Sequence, residues 1–366
     1  MSTTLNLAIF GIGNVGSTLL KQIASYNERS KKNSNATKIN VFVIANSKLA
    51  LFSDHTDSDT WKTDFDTNSY PYTMEDIYSQ KEKLKSKEQY ISDEPFIAVD
   101  LTASGDFVKQ YISLIENGFH LVTANKIANS LSYSFYTELR EALDIHKKQF
   151  HYETNVGSGL PIIETIKNLH NSGEEIQKIR GVFSSSLSYL FNTFSKEEKE
   201  FSEILLEADA LGLTEPDVRE DLSGNDVARK LLILGREIGL KHEFEDVSVQ
   251  SLVPKELNGQ TTLPQFHESI KKLNAVLAKS KSSLGEGEVL RHVGELDLKT
   301  KRFEVKLVQE PTSTALGQTK GADAVFEIYS RSYGEQPLVI QGAGAGKVVT
   351  ARGVLGDILK VAHSYN

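Results

Sequence analysis

The sequence contains no cysteine. That excludes disulfides, thiolate zinc sites and a cysteine nucleophile, and it fits a reducing compartment. Long apolar runs are missing too: stretches such as VFVIA and LLILG are far too short to cross a bilayer. The N-terminus, MSTTLNLAIFGIGNVG, has neither a basic leader nor an extended apolar segment. No secretory signal is expected there, and a cytoplasmic protein is. Nor is there a surplus of basic charge. Lys and Arg number 41 against 49 Asp and Glu, a formal charge of −8. A phosphate backbone finds no general electrostatic support, which argues against a nucleic-acid partner. No internal repeat or low-complexity tract is visible in the 366 residues.

What is present describes a globular chain, with 39% hydrophobic and 25% charged residues at a length that suits two domains. LNLAIF (5–10) reads as a buried strand, GIGNVG as a turn, and STLLKQIASY as a helix with Leu19, Leu20 and Ile23 on one face. A polar loop leads to a second strand, INVFVIA (39–45). Gly11, Gly13 and Gly16 thus form G-x-G-x-x-G between a strand and a helix. One glycine permits the tight turn, one lets a pyrophosphate approach the backbone, and one lets helix and strand pack closely. The helix N-terminus favours the phosphate charge. Gly11, Ile12, Gly13, Asn14, Val15 and Gly16 are therefore the expected dinucleotide cradle. An NAD site usually ends the second strand in an acid that takes the ribose 2′-hydroxyl. Here Asn46 and Ser47 stand in its place, with Lys48 beside them, and NAD and NADP are both open.

Residues 46 to 94 are polar and read as loops and short helices inserted in the first domain. Within them SDHTDSDT (53–60) lacks the mid-loop glycine and closing glutamate of an EF-hand, and reads as a solvated acidic loop. PFIAVDLTAS (95–104) is a further strand, DFVKQYISLIENG a helix from Asp106 to Gly118, and FHLVTANK (119–126) a strand ending in a lysine. Such alternation builds a parallel sheet. Around residue 150 the character changes. HYETNVGSGLPIIETIKNL runs from strand through a glycine-rich turn to a helix with Pro161 near its start. KIRGVFSSSLSYLF, RFEVKLVQE and DAVFEIYSRS read as strands, and LVIQGAGAGKVVTARGVLGDILKVAHS as strand, glycine-rich turn and closing helix. The expected architecture is α/β: an N-terminal Rossmann-type nucleotide-binding domain over 1–150, to which 341–366 return, and an α+β substrate-binding and dimerisation domain with a mixed sheet over 151–340.

The densest charge cluster is TEPDVREDLSGNDVARKLLILG (214–235). Asp226 and Lys230 are four apart on a helix and share a face. One reading is an ordinary ion pair on a solvated surface, contributing about a few tenths of a kcal/mol. Against it, the preceding LGLTEPDVREDLSG reads as a long acidic loop rather than a simple cap, and the rest of the helix is apolar enough to be buried. A lysine on a mostly buried helix needs a partner or a task.

GLTEPDVREDLSGNDVARKL resembles the signature of homoserine dehydrogenase. GIGNVG, VTANK, YETNVGSGLPI, GVFSSSLSYLFN and VIQGAGAGKVVTARGVLGDIL extend the resemblance over nearly the whole chain. The variant is similar to the short fungal-type enzymes without an aspartate kinase or a C-terminal regulatory domain. The resemblance implies reversible, NAD- or NADP-dependent reduction of L-aspartate 4-semialdehyde to L-homoserine, in threonine and methionine biosynthesis. It places Glu215 and Asp226 at the substrate ammonium and Asp221 in the same site. It makes Lys230 the acid/base and Lys126 its electrostatic and positioning partner beside the coenzyme, although the sequence does not decide which delivers the proton. Thr102, Gly212 and Gly346 match positions near the coenzyme. Glu153, Val156, Ser158 and Leu160 match a monovalent-cation loop that binds sodium mostly through backbone carbonyls. A homodimer paired through the second domain's sheet is implied, without threonine feedback through an appended domain. Two departures stand out. The family's Gly-Thr pair is Ser185–Ser186 here, where Ser186 keeps a hydroxyl for the substrate and Ser185 adds bulk. Leu213 replaces a common aromatic.

Two other functions compete. Aspartate-semialdehyde dehydrogenase handles the same metabolite but needs a cysteine nucleophile to form a thioester, and is excluded. A non-catalytic dinucleotide sensor would be marked by loss of a site lysine or of the ammonium-binding carboxylates. Lys126, Lys230, Glu215 and Asp226 are all present.

Overall fold

The computed structural model describes residues 3–31, 36–53, 60–87, 94–257 and 261–365. The first elements are β1 (Thr4–Phe10), α1 (Asn14–Ser30), β2 (Lys38–Ala45), β3 (Leu49–Phe52), α2 (Trp61–Asn68), β4 (Tyr70–Pro71) and α3 (Met74–Lys85). They are followed by β5 (Phe96–Asp100), α4 (Gly105–Val108), α5 (Tyr111–Glu116), β6 (Phe119–Thr123), α6 (Ile127–Ser130), α7 (Tyr133–His146) and β7 (Phe150–His151). After a 3-10 turn at Glu153–Asn155 come α8 (Ile162–Asn171), β8 (Ile176–Val182), α9 (Ser185–Phe194), α10 (Phe201–Ala210), α11 (Val218–Ser223) and α12 (Asn225–Glu237). The remainder is β9 (Val247–Val249), α13 (Leu263–Ser269), α14 (Lys272–Ser282), β10 (Glu288–Asp297), β11 (Arg302–Pro311), α15 (Ala315–Gln318), β12 (Asp323–Ser330), β13 (Leu338–Ala343) and α16 (Lys347–Ala362). Two compact units result: Met1–Gly159 with Gly346–Asn366, and Leu160–Ala345.

The first unit is a seven-stranded sheet in the order β4-β3-β2-β1-β5-β6-β7. Its core strands pair in parallel. Leu5, Leu7 and Ile9 point into a core shared with Leu19, Ile23, Val354 and Ile358, from α1 and α16. Ala8 and Phe10 point the other way, into a core shared with Ile77, Leu114 and Leu139, from α3, α5 and α7. Burial on both faces is why these strands read as continuous apolar runs. The sheet is not wholly parallel. β3 runs antiparallel to β2, and β4 antiparallel to β3, within a segment whose sequence suggested only loops and short helices. Asn46 makes the reversal: its Oδ1 accepts from the N–H groups of Lys48 and Leu49, both at 2.8 Å. β3 has only 4 residues, too few to display an alternating pattern. Of the acidic stretch 53–60, residues 54–59 lie outside the described residues. The single helix expected from Asp106 to Gly118 is two short ones, α4 and α5. Ser104 Oγ caps the first by accepting from the Phe107 N–H at 3.1 Å, and Gly118 ends the second at φ +87.

The second unit is built on a mixed six-stranded sheet, β13-β12-β8-β10-β11-β9, antiparallel except between β11 and β9. α9 and α12 pack against β10, α9 against β12, and α12 against β11. KIRGVFSSSLSYLF is not one strand. β8 stops at Val182, and Ser184 caps α9 by accepting from the Leu187 N–H. The apolar residues beyond, Leu187, Leu190, Phe191 and Phe194, recur at helical spacing and are buried. Among the described residues, no helix is long and apolar enough to cross a membrane.

Two buried histidines tie stability to pH. In the first unit His120 Nδ1 accepts from the Gln149 N–H at 3.0 Å, and burial pushes its pKa down to about 3. In the second, His292 packs beside Phe191 with neither ring nitrogen hydrogen-bonded, and burial pushes it down to about 4. An unfolded histidine takes its proton near pH ~6.5. Their stability contribution is therefore complete above that pH and is lost as pH falls through the folded values. His292→Leu should flatten the acid limb, recovering roughly 3 kcal/mol near pH ~4 relative to the parent. Urea midpoints measured across that range would show identical slopes if the histidine were not responsible.

Candidate active site

The strand-to-helix turn after β1 is shaped by two close approaches and one gap. A Cβ on Gly16 would lie 2.0 Å from the Gly11 carbonyl oxygen, so only glycine lets α1 start this near the strand. Gly11 has φ +98, and its Cβ would lie 2.8 Å from the Leu101 carbonyl. A Cβ on Gly13 would meet nothing within 4 Å. Gly13 is also the N-cap of α1, with no side-chain cap and no acidic residue in the first turn. The N–H groups of Asn14, Val15 and Gly16 thus begin a helix whose positive end no side chain neutralises. Ile12 and Val15 anchor the turn in the core below. A pyrophosphate fits this cradle: open backbone, dipole and shape all favour it. At the end of β2 the Oδ1 of Asn46 is spent on the hairpin turn, while Ser47 and Lys48 are exposed.

At the end of β5, the Thr102 N–H donates to Asp100 Oδ1 at 2.8 Å, and Thr102 Oγ1 accepts from the Ser104 N–H at 3.2 Å. At the end of β6, Lys126 is the N-cap residue of α6. Asn125 before it donates from its N–H to Thr123 Oγ1 at 2.8 Å and from Nδ2 to Asp100 Oδ2 at 3.0 Å. Its Oδ1 accepts from the Ile127 N–H at 3.1 Å. Half-buried Lys126 therefore stands on a turn tied down on both sides.

The turn from Glu153 to Gly159 lies on α16. The Glu153 N–H donates to Asp357 Oδ2 at 2.8 Å, and Ser158, in the left-handed region at φ 59, shares a 2.6 Å hydroxyl contact with Thr350. Among the described residues, no group of three or more His, Asp or Glu side chains could hold a metal ion. A cation in this turn would depend on backbone oxygen. The Glu153 carbonyl accepts from the Val156 N–H at 3.3 Å, and the Leu160 carbonyl from the Ile162 N–H at 2.9 Å. A carbonyl oxygen carries two lone pairs, so one such hydrogen bond does not by itself exhaust it. Gly346 ends the preceding loop at φ 120 and is the N-cap of α16.

The charged cluster lies in the second unit, and its expected acidic loop is partly helical. Asp217 caps α11 by accepting from the Arg219 N–H, and holds the Arg219 guanidinium through Nε at 2.8 Å. Asp221, on α11, accepts the Glu215 N–H at 2.7 Å. Burial raises its pKa, opposed by the Glu215 N–H and by the nearby Ser186 hydroxyl. Gly224, at φ 75, turns the chain from α11 into α12. Lys230 Nζ lies 2.7 Å from Asp226 and donates to the Phe183 carbonyl at 2.8 Å. The i,i+4 pair is real, but it is not on a solvated face: the Lys230 side chain is only 13% exposed, against 42% for Asp226. Two linked sets result, Asp221–Glu215, with Ser186 nearby, and Asp226–Lys230–Phe183. Ser185 Oγ is buried without a partner, 3.1 Å from where a Cβ of Gly344 would stand. Gly212, at φ 67, and half-exposed Leu213 follow α10. Sequence reasoning missed Asp100, Asn125, Asp357 and the Phe183 carbonyl. An acid closing an apolar strand, as in IAVD, was the available signal for the first; the carbonyl left none.

A family profile described as homoserine dehydrogenase matches residues 161–359, and one described as homoserine dehydrogenase, NAD binding domain, matches residues 11–153. The chain is 36% identical over 382 residues to a homoserine dehydrogenase of Emericella nidulans, covering 99% of each. It is 38% identical over 360 residues to a bifunctional aspartokinase/homoserine dehydrogenase of Buchnera aphidicola, and spans 43% of that protein's length. The crystal structure of a Candida auris protein of unknown function superposes with a TM-score of 0.88 at 33% identity, over 99% of both chains.

The gap at Gly13 separates binding from folding. Gly13→Ala should leave the melting temperature nearly unchanged, since its φ of −67 suits any residue. The added methyl should weaken dinucleotide binding by roughly tenfold or more, as it occupies the backbone approach. Titration of nicotinamide fluorescence would sink this if affinity were unchanged.

Proposed function

The chain belongs to the homoserine dehydrogenase family, and on that footing we propose that it interconverts L-aspartate 4-semialdehyde and L-homoserine with NAD or NADP, as a cytoplasmic enzyme of threonine and methionine biosynthesis. The observation that carries the reading is the 214–230 segment. There, Glu215 in the loop before α11, Asp221 on α11 and Asp226 on α12 accompany a lysine held near the carboxyl end of β8. We assign coenzyme binding to the first unit and substrate binding to the second. When bound, the nicotinamide would supply hydride to the aldehyde carbon, or remove it from the alcohol.

The chain's own residues do the rest. Glu215 and Asp226 hold the substrate ammonium by charge, while Asp221 fixes the Glu215 backbone and Ser186 supports Asp221. In reduction, the aldehyde oxygen gains electron density as its carbon gains hydride, and must take a proton. Lys230 donates that proton and takes it back in oxidation; the Phe183 carbonyl and Asp226 aim its ammonium. Lys126 is assigned as its electrostatic and positioning partner beside the coenzyme. Thr102 and Gly346 are assigned to the coenzyme, with Asn46 and Ser47 at the adenosine ribose. Sodium would take the backbone oxygens of Glu153, Val156, Ser158 and Leu160, and would stiffen the turn lying on α16.

Lys230→Ala should lower kcat by about 10²–10⁴-fold with coenzyme affinity nearly unchanged. Lys230→Arg should not rescue it, because a guanidinium does not give up its proton near neutral pH. Glu215→Ala should act mainly on homoserine KM, since it serves ground and transition states alike. Near-wild-type turnover of a folded Lys230→Ala chain would reduce Lys230 to a helix ion pair.

The second unit's sheet supports a homodimer. One face is covered by α9 and α12. On the other, Arg180 pairs with Glu310 and, at 3.5 Å, with Glu295, while Val339 on β13 is 40% exposed. Sedimentation at micromolar concentration should give a dimer; a stable monomer would refute the pairing.

A further inference from the structure

We propose that Asp100 is a positioning residue that holds the Thr102 loop and the Lys126 turn in a fixed mutual geometry, so that one buried carboxylate aligns coenzyme and lysine. The proposal rests on the reading of Lys126 and Thr102 given above.

Asp100 ends β5 between β1 and β6, opposite Phe10 on one side and Thr123 on the other. Its residue is 2% exposed. Three neutral donors converge on the carboxylate: the Thr102 N–H on Oδ1 at 2.8 Å, and the Tyr111 hydroxyl at 2.6 Å and Asn125 Nδ2 at 3.0 Å on Oδ2. Asn125 Nδ2 also reaches the Ser104 carbonyl at 3.1 Å. Through Asn125 the carboxylate therefore holds the backbone on both sides of Lys126, and through Thr102 it holds the loop after β5. Burying an anion is costly, and burial raises this carboxyl's pKa against the pull of its hydrogen bonds. A space-filling role would be met more cheaply by an apolar residue. A carboxylate is required because only it accepts on both oxygens without presenting a donor.

That requirement makes Asp100→Asn informative. The amide can accept from Thr102, or from Tyr111 and Asn125, but must turn its N–H₂ toward the other set. One tether is lost while shape is kept. The kcat for homoserine oxidation should fall about 10- to 100-fold, the loss typical of misplacing a reacting group by about an ångström. Homoserine KM should change much less, because the carboxylates assigned to the substrate ammonium are elsewhere in the sequence. Coenzyme affinity and the kcat-to-KM split separate this from general destabilisation, which would lower the folded fraction without changing either in the folded enzyme. Hydrogen exchange supplies a readout free of turnover: the amide of Thr102 or of Ile127 should exchange roughly tenfold faster in Asp100→Asn. If the wild-type chain fails to oxidise homoserine, the functional reading falls, while exchange still tests the tether. If Asp100→Asn does not fold, Asn125→Ala, which cuts only the lysine side, should lower kcat by a similar factor, and Tyr111→Phe, which leaves both tethers, should not. Near-wild-type kcat in Asp100→Asn with both amides protected would overturn the proposal.

Discussion

Asp357, 1% exposed on α16, accepts the Glu153 N–H at 2.8 Å while Lys360 stands 3.2 Å from its other oxygen. A hydrogen bond to a buried charge contributes about 1.5–3 kcal/mol, and leaving either partner alone costs more. Much of the first unit hangs from this contact. The 3-10 turn that Glu153 opens carries Asn155, whose Nδ2 donates to the Thr123 carbonyl at 3.2 Å. Asn155 Oδ1 accepts from Asn129 at 2.9 Å, and Asn129 in turn accepts from Arg140 at 2.8 Å. Thr123 lies three residues before Lys126 and Asn129 three residues after it, so α16 braces the lysine turn from both sides. The contact repeats along the helix: Gln22 donates to the Val348 carbonyl at 2.9 Å, and a Cβ on Gly353 would strike Thr154 at 2.6 Å.

What could be read from the sequence was local. The G-x-G-x-x-G turn is legible because each glycine answers a backbone constraint a few residues away, and the Gly16 and Gly11 approaches are of that kind. The helix over 225–237 announced itself through its apolar face, and its buried residues include Val227, Ala228 and Leu231. The hairpin at Asn46 was hidden because it depends on one side-chain turn and a very short strand. The strand expected through Phe191 failed because β-branched and aromatic content does not distinguish a strand from a buried helix, and the Ser184 cap decides it. Asp100 escaped because its partners, Tyr111 and Asn125, are 11 and 25 positions away. Burial brings them together, and no spacing rule reports that.

The two sheets solve different problems with the same chemistry. The first is buried on both faces, so the polar groups on its strands are paired with one another: Asn40 with Asn6 near the amino ends, and Thr123 with the Asp100 carbonyl at the carboxyl ends. The second alternates. Ile179, Leu296 and Phe303 are buried, while Arg180, Glu295 and Glu304 are in register on the opposite face. There, Arg180 stands opposite Glu295 on one strand and Glu327 on the other, while further along the same face Val182, Val293 and Val325 pack with Leu316 of α15.

The return of residues 346–366 to the first unit has a consequence for how the molecule is made. The sheet of that unit is translated first, yet the helix that fills one of its cores leaves the ribosome only after all of 160–345. At about 5–20 residues per second, the intervening stretch takes on the order of ten seconds or more to synthesise. Throughout that interval Leu7, Ile9 and Val99 lack the cover that Val354 and Ile358 later provide. The nascent chain therefore holds an apolar face open while its middle folds, and the second unit must form without trapping it.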